Sequence, residues 1–349
     1  MRLLRPRSEP DVGEIGAGVC LRGSLWLGRD AEVIADGRLL VDEHGVVVAA
    51  GPATEVSAGG VEEIQVGWVG PGLVDAHVHL GFGEPDHVLR HGVVAVRDLG
   101  APPADAARYR KLAAPRVEVA GPLLTAPGGY PSRSWGSAGY AAFVDDPAQA
   151  EPLVAGLCTQ VDVVKLALEP SGGPVPSAEV AAAVVRVAHD NGREVTCHAL
   201  TVAMVERALD AGADELAHTP TERLPDEVVA RLAEDRVRVV STLQTFVAGG
   251  IGEAALDNAR RLVTAGVELR YGTDLGNAGT RPGADPRELR LLDRQVGLGA
   301  VGALRAATGP IVVGEPAAVV GLSGDPIVDP KHYRDAEVVV VGRTVLRHR

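Results

Sequence analysis

Aromatic residues are scarce in this chain: three Phe, five Tyr and three Trp make up 3% of 349 residues. A core with so few rings has to be built from Val, Ala and Leu, and recognition of a ligand by stacked aromatic side chains is not expected. Cysteine is as thin. Cys20, Cys158 and Cys197 are scattered with no paired spacing, which argues against a disulfide framework and fits a reducing compartment, so a cytoplasmic location is expected. No run of 18 apolar residues is present to make a membrane span. Residues 1–11 carry arginines and two prolines but no apolar stretch of signal-peptide length, and read as a loose tail. Basic residues are outnumbered, Lys plus Arg at 34 against Asp plus Glu at 46, for a net charge of −12. A nucleic-acid partner would need a basic face, so a small-molecule ligand is expected instead.

What the chain does have is 46% apolar residues, enough for a large core. Residues 13–70 read as short strands broken by glycine, with turns at Asp36-Gly37 and His44-Gly45. From Pro71 the texture changes to apolar strands alternating with helical stretches. The strands are 72–80, 93–99, 116–124, 161–168, 194–200, 214–219, 236–242 and 267–274. The clearest helices are 146–159, 177–191, 201–211, 225–235 and 252–265, with Gly192, Gly212 and Gly266 just past three of their ends and Ser177 and Thr201 where N-caps belong. Strands alternating with helices imply a parallel sheet, and eight units over roughly 240 residues fit a (β/α)8 barrel. From Gly309 the chain turns β-like again. The expected architecture is α/β: a TIM-like barrel over 71–308 and a small composite β-sandwich module built from 1–70 and 309–349. The link between the eighth strand and the closing strands is short, with a single compact stretch at 296–309, and a homo-oligomer is expected.

In such a barrel, chemistry gathers at the C-terminal ends of the strands. The first strand, Pro71-Gly-Leu-Val-Asp-Ala-His-Val-His, ends in two histidines at i and i+2, which point to one face. Lys165 sits inside the apolar run of the fourth strand. His198, His218 and Asp274 end the fifth, sixth and eighth. Any one of these alone reads as a rim residue or a cap. Four histidines, a lysine and an aspartate at equivalent places on five strands read as a metal site. Imidazole and carboxylate suit Zn²⁺, with Mn²⁺, Co²⁺ or Fe²⁺ as alternatives. A lysine buried in an apolar strand should have a lowered pKa.

This order of His-x-His, Lys, His, His and Asp resembles the amidohydrolase superfamily of binuclear type. Val163-Val-Lys-Leu, Thr196-Cys-His-Ala, Leu216-Ala-His-Thr and Tyr271-Gly-Thr-Asp carry the resemblance along nearly the whole chain. Val96-Arg-Asp-Leu-Gly100, Gly121-Pro-Leu-Leu-Thr125 and the tail Gly314-Glu-Pro-Ala, Gly324-Asp-Pro and Val341-Gly-Arg look like its imidazolonepropionase-like and prolidase-like branch. The resemblance implies two divalent metals: His77, His79 and Asp274 on the more buried one, His198 and His218 on the other, and Lys165 bridging them as a CO2-derived carbamate. It further implies a metal-bridging hydroxide that cleaves an amide, peptide-like or cyclic amide C–N bond, with Asp274 moving the proton. The same site could instead serve cyclisation, dehydration or decarboxylation. Tyr130 stands where the branch often has histidine and is a candidate hydrogen-bond donor to the substrate carbonyl. Arg133 and Arg281 are candidates for a substrate carboxylate, Gln244 and Asn277 for the rim, and Asp98 for support by hydrogen bonds.

Overall fold

The computed structural model describes residues 11–29, 31–277 and 279–348; of the tail expected over residues 1–11, residues 1–10 lie outside them and Asp11 opens a strand, Asp11–Glu14. Alternation in Val19–Leu25 and Ile34–Val41 puts Val19, Leu21, Leu25, Leu39 and Val41 on one buried face, as the two-residue period of a strand requires. These strands belong to one mixed sheet. Its order is Asp11–Glu14, Thr344–Arg347, Val338–Val341, Ala318–Leu322, Glu62–Pro71, Val19–Leu25, Ile34–Val41, Val47–Pro52. The two chain ends meet in it, since Ala318–Leu322 pairs with Glu62–Pro71 and Asp11–Glu14 with Thr344–Arg347. Where the sequence suggests a two-layered sandwich, hydrogen bonds among the described residues join the strands in one continuous sheet with its own buried apolar cluster.

The middle of the chain is a succession of parallel strands and helices. Leu73–Val78, Val93–Asp98 and Arg116–Val119 form one parallel sheet. Leu123–Thr125, Val164–Leu168, Val195–Ala199, Glu215–Leu216, Arg238–Val240 and Leu269–Arg270 run on in a second. The third expected strand, 116–124, is therefore two: it breaks at Ala120-Gly121-Pro122, where Gly121 has φ +65° and proline has no N–H to give a ladder. The first part pairs with Val93–Asp98 and the second with Val164–Leu168. An unforeseen short strand, Ala141–Phe143, lies beside Leu123–Thr125. At the far side, Ala76 N–H donates to Tyr271 O (3.0 Å), Asp274 N–H to His77 O (2.9 Å) and His79 N–H to Leu275 O (2.8 Å). These bonds bring the end of the eighth strand against the end of the first.

The helices end largely as their sequences ask. Ser177 accepts from Val180 N–H, and Gly192, Gly212 and Gly266 take positive φ, which glycine adopts without a Cβ penalty. Thr201 holds the cap position of Val202–Ala211, but the carboxylate of Glu222 receives the Val202 N–H instead. The link to the closing strands is helical from well before the expected compact stretch 296–309. Asp285 caps Pro286–Arg290, which runs into a π-helical turn, Leu291–Val296, and then Gly299–Ala307. Among the described residues no helix is long and apolar enough to cross a membrane.

Candidate metal centre

The site is assembled by a strap between the first and last strands. Asp75, buried in Leu73–Val78, accepts the N–H of His77 (3.2 Å), the N–H of Thr273 (3.0 Å) and the hydroxyl of Thr273 (2.5 Å). The next residue, Asp274, has φ +52°, a left-handed conformation that costs a non-glycine residue free energy and is tolerated where the surroundings impose it. Its Oδ1 lies 3.4 Å from His77 Nε2 and 3.5 Å from His79 Nε2. His77, His79 and Asp274 are all buried, and their ligand atoms lie within 4.8 Å of one another.

The other strand ends complete the group. The rings of His218 and His77 are 4.5 Å apart, and those of His198 and His218 4.8 Å. His218 Nδ1 is 3.9 Å from Asp274 Oδ2. Lys165 is 1% exposed, within a strand whose five residues are all buried. Burial pushes its ammonium pKa down and pushes the Asp274 carboxyl up, each opposed by the charge of the other. Below them Glu215, also 1% exposed, pairs with Arg97 and Arg270.

Three of the histidines have one nitrogen held by the protein. His77 Nδ1 bonds Ala217 O (2.8 Å), His218 Nδ1 bonds Thr242 Oγ1 (3.0 Å) and His198 Nε2 bonds Glu169 Oε2 (3.0 Å). The opposite nitrogens are thereby left for a ligand, the arrangement that outer partners of metal-binding histidines produce. Burial lowers the pKa of all four rings, that of His79 to about 3, so they are neutral at pH 7 and able to donate lone pairs. Buried His77 Nε2, Lys165 Nζ and Asp274 Oδ1 have no hydrogen-bond partner among the described residues. Orphaned donor and acceptor atoms this deep are costly unless something binds them, and two imidazoles with a carboxylate are a fitting donor set for a divalent metal.

Of the rim residues, Tyr130 comes to the site: its ring is 5.0 Å from that of His198, its hydroxyl accepts from Trp135 Nε1–H at 3.0 Å, and burial raises its pKa to about 12. Asn277 donates backbone and side-chain N–H to Asp274 O, so it braces the loop. Gln244 gives its backbone N–H to Glu288. Arg133 is exposed with its guanidinium against Gly128. Arg281 is not brought to the histidines. It lines a cavity of about 330 Å³ with Arg287, Arg290, Lys331 and Arg334, where Arg334 donates to the carbonyls of Pro282 and Ala284. Asp98 plays the expected support role, accepting from Leu80 and Gly100 N–H. Sequence reasoning missed Asp75, Glu169 and Thr242. Rings gather here too: Phe82 and Trp135 contact the ring of His79, Tyr130 that of His198 and Phe246 that of His218, with Tyr140 against Phe82 and Trp135.

A parallel strand–helix succession with a buried His-x-His, Lys, His, His, Asp set at its strand ends defines a protein of the TIM-barrel class. The chain belongs to the amidohydrolase family, whose model matches residues 68–309. An uncharacterized protein of Mycobacterium tuberculosis (strain ATCC 25618 / H37Rv) is 30% identical over 210 residues, 55% of this chain and 55% of that one. The chain thus spans about half the length of the curated relatives it matches. In fold it is similar to a Xaa-Pro dipeptidase solved with methionine in its active site (21% identity, 95% of this chain, 100% of that one, TM-score 0.81). It is similar also to the A. niger ochratoxinase (18% identity, 94% and 95%, TM-score 0.79).

Proposed function

We propose that the protein is a binuclear metal-dependent amidohydrolase that cleaves an amide, peptide-like or cyclic amide bond of a small molecule. The observation that carries this is the buried triad of His77, His79 and Asp274, with His77 Nε2 and Asp274 Oδ1 facing each other unbonded. These three would hold one divalent ion, Zn²⁺ first among Mn²⁺, Co²⁺ and Fe²⁺, and His198 and His218 a second. Lys165 would bridge the two as a carbamate, which its buried, unpartnered Nζ and lowered pKa support. Bound there, the ions would supply Lewis acidity toward a carbonyl oxygen and acidify water.

The chain's own groups do the rest. Asp274, its pKa raised by burial, takes up the proton released by water and returns it to the leaving nitrogen. Tyr130 keeps its phenolic proton and, with its oxygen already accepting from Trp135, donates to the amide oxygen. Glu169, Thr242 and Ala217 hold His198, His218 and His77 in the orientation a ligand needs. The same proposal takes 71–308 as one closed barrel, supported by the bonds from 271–275 to the first strand, and 1–70 with 309–349 as a separate module, supported by its own core.

The test is metal analysis of protein prepared with bicarbonate and Zn²⁺ or Mn²⁺, together with a screen of dipeptides, N-acyl amino acids, lactams and lactones. Two equivalents of metal, falling sharply in Lys165→Ala, are expected. Wild-type protein holding no stoichiometric metal would overturn the proposal.

A further inference from the structure

A chain this poor in rings buries Trp26, Trp68, Tyr271 and Tyr333 completely, yet leaves other rings at the mouth of the metal centre. Phe82 stacks on Tyr140 (5.8 Å between centroids, 18° between planes) and meets Trp135 edge-on at 5.7 Å. Trp135 lies 4.9 Å from the ring of His79 and 5.4 Å from Tyr140. Tyr130 bridges Trp135 and His198. Phe82 is 49% exposed even so. Part-buried rings touching metal-binding histidines leave apolar area that a ligand can cover, at about 25 cal/mol per Å² covered.

Two polar groups of this collar are already engaged. The Trp135 N–H is spent on Tyr130, and Glu169 is paired with His198. The cation of the same loop, Arg133, lies along Gly128. The surface next to His79 therefore offers ring faces and edges to whatever is attached to the reacting amide. Resting on the hydrolase reading above, we infer that the substrate is an amide bearing a flat apolar group of about phenyl size, which packs against Phe82, Trp135 and Tyr140 while the carbonyl lies at the histidines. A small, doubly charged dipeptide is a poor fit to the same collar.

The test uses metal-replete enzyme and three amides: N-acetylglycinamide, N-phenylacetylglycinamide and N-acetylbenzylamine, which carry no ring, a ring on the acyl side and a ring on the amine side. At least one ring-bearing amide should exceed the ringless one in kcat/KM by about tenfold or more, and the ratio should fall to within about threefold in Phe82→Ala and Trp135→Ala. Phe82→Leu, which keeps apolar volume, should lie between. Val328→Ala, a 78% exposed site outside the collar, should keep the wild-type ratio. Binding is read separately by tryptophan fluorescence. Trp26 and Trp68 are each 1% exposed, so quenching by a ring-bearing amide should come from Trp135 and vanish in Trp135→Phe. Turnover with no preference for a ring overturns the inference and leaves the hydrolase standing. Ring-selective quenching with no turnover of any amide supports the collar and counts against the hydrolase. Absence of both selective binding and selective turnover overturns the inference.

Discussion

Thr242 offers a sharp test of how the second half of the metal centre is held. It is fully buried just past Arg238–Val240, with φ +42° and ψ +27°, a conformation that a β-branched side chain adopts at a cost of about 1–2 kcal/mol. What it contributes in return is one hydrogen bond, Oγ1 to His218 Nδ1 at 3.0 Å. With Nδ1 protonated and donating, the lone pair of His218 Nε2 is fixed toward the site. Thr242→Val keeps the volume and the branch, hence the strain, and removes only the oxygen. It leaves a buried N–H orphaned, at about 1–3 kcal/mol of stability. Losing an outer partner of a metal-binding histidine typically costs about 10- to 100-fold in metal affinity or activity. Thr242→Ser keeps the oxygen. It loses one methyl, about 0.5–1.5 kcal/mol, and eases a strain of similar size, so stability should stay within about 1 kcal/mol. Urea unfolding and a metal titration followed by elemental analysis separate the two variants. Val should lose the second equivalent of metal while the first, on His77, His79 and Asp274, remains; Ser should hold both. If Val binds two equivalents with wild-type affinity and turns over normally, the bond to His218 does not position it and the reasoning is wrong. If Ser behaves like Val, the methyl matters and the oxygen does not.

Two more predictions concern the frame around the site. Glu288 is fully buried, accepts the N–H of Leu243 and Gln244 at the start of Leu243–Ala248, and has its pKa raised by burial from 4.5 to about 7. The folded state holds this proton more tightly than the unfolded one, so the contribution is full below pH 4.5 and is lost as pH rises through about 7, by at most about 3 kcal/mol. Asp75 and Asp98 also titrate near 7, so the readable quantity is the difference between stability–pH curves. That of Glu288→Gln should fall less steeply from pH 5 to 8 than wild type, and parallel curves would refute the assignment. Glu215→Gln should destabilise by about 3–5 kcal/mol, because it leaves the 5% exposed Arg97 without its buried counter-charge. A change below about 1 kcal/mol in urea unfolding would mean that water and Glu118, already 3.6 Å from Arg97 Nε, suffice to hold the guanidinium.

The metal-binding candidates were legible because chemistry restricts them to a few residue types and the fold puts them at strand ends. A His-x-His at the close of an apolar strand, or a lysine inside one, stands out against its neighbours whatever the tertiary structure. Glu169 obeys the same strand-end rule, one residue beyond Val164–Leu168, but Pro170 after it reads as the start of an ordinary loop. Gly121-Pro122 is a plain break signal, masked by apolar residues on both sides that read as one strand. Thr242 carries no mark at all. Its role rests on a backbone dihedral imposed by the strand and helix it joins, and no local pattern encodes that.

The rings show what composition leaves open about a site. A count of aromatics fixes how many exist, not where they go. Recognition by rings was discounted because they are rare, yet a core of Val, Ala and Leu leaves the few that exist free to collect elsewhere. Phe82, Trp135 and Tyr140 come from the loops after the first and third strands, which flank the second strand in the sheet, and they meet across its end. Asp75 and Thr273 make the same point in polar form. They lie 198 residues apart, and their bonds set the backbone that presents both His77 and Asp274. A residue that must itself bind a metal announces its chemistry in the sequence. One that places another residue's backbone can be of many types, and its partner is chosen by the fold. Errors of sequence reading should therefore fall on the supporting residues and the pocket walls, and it is there that substitutions such as Thr242→Val and Phe82→Ala probe what the ligand set alone cannot predict.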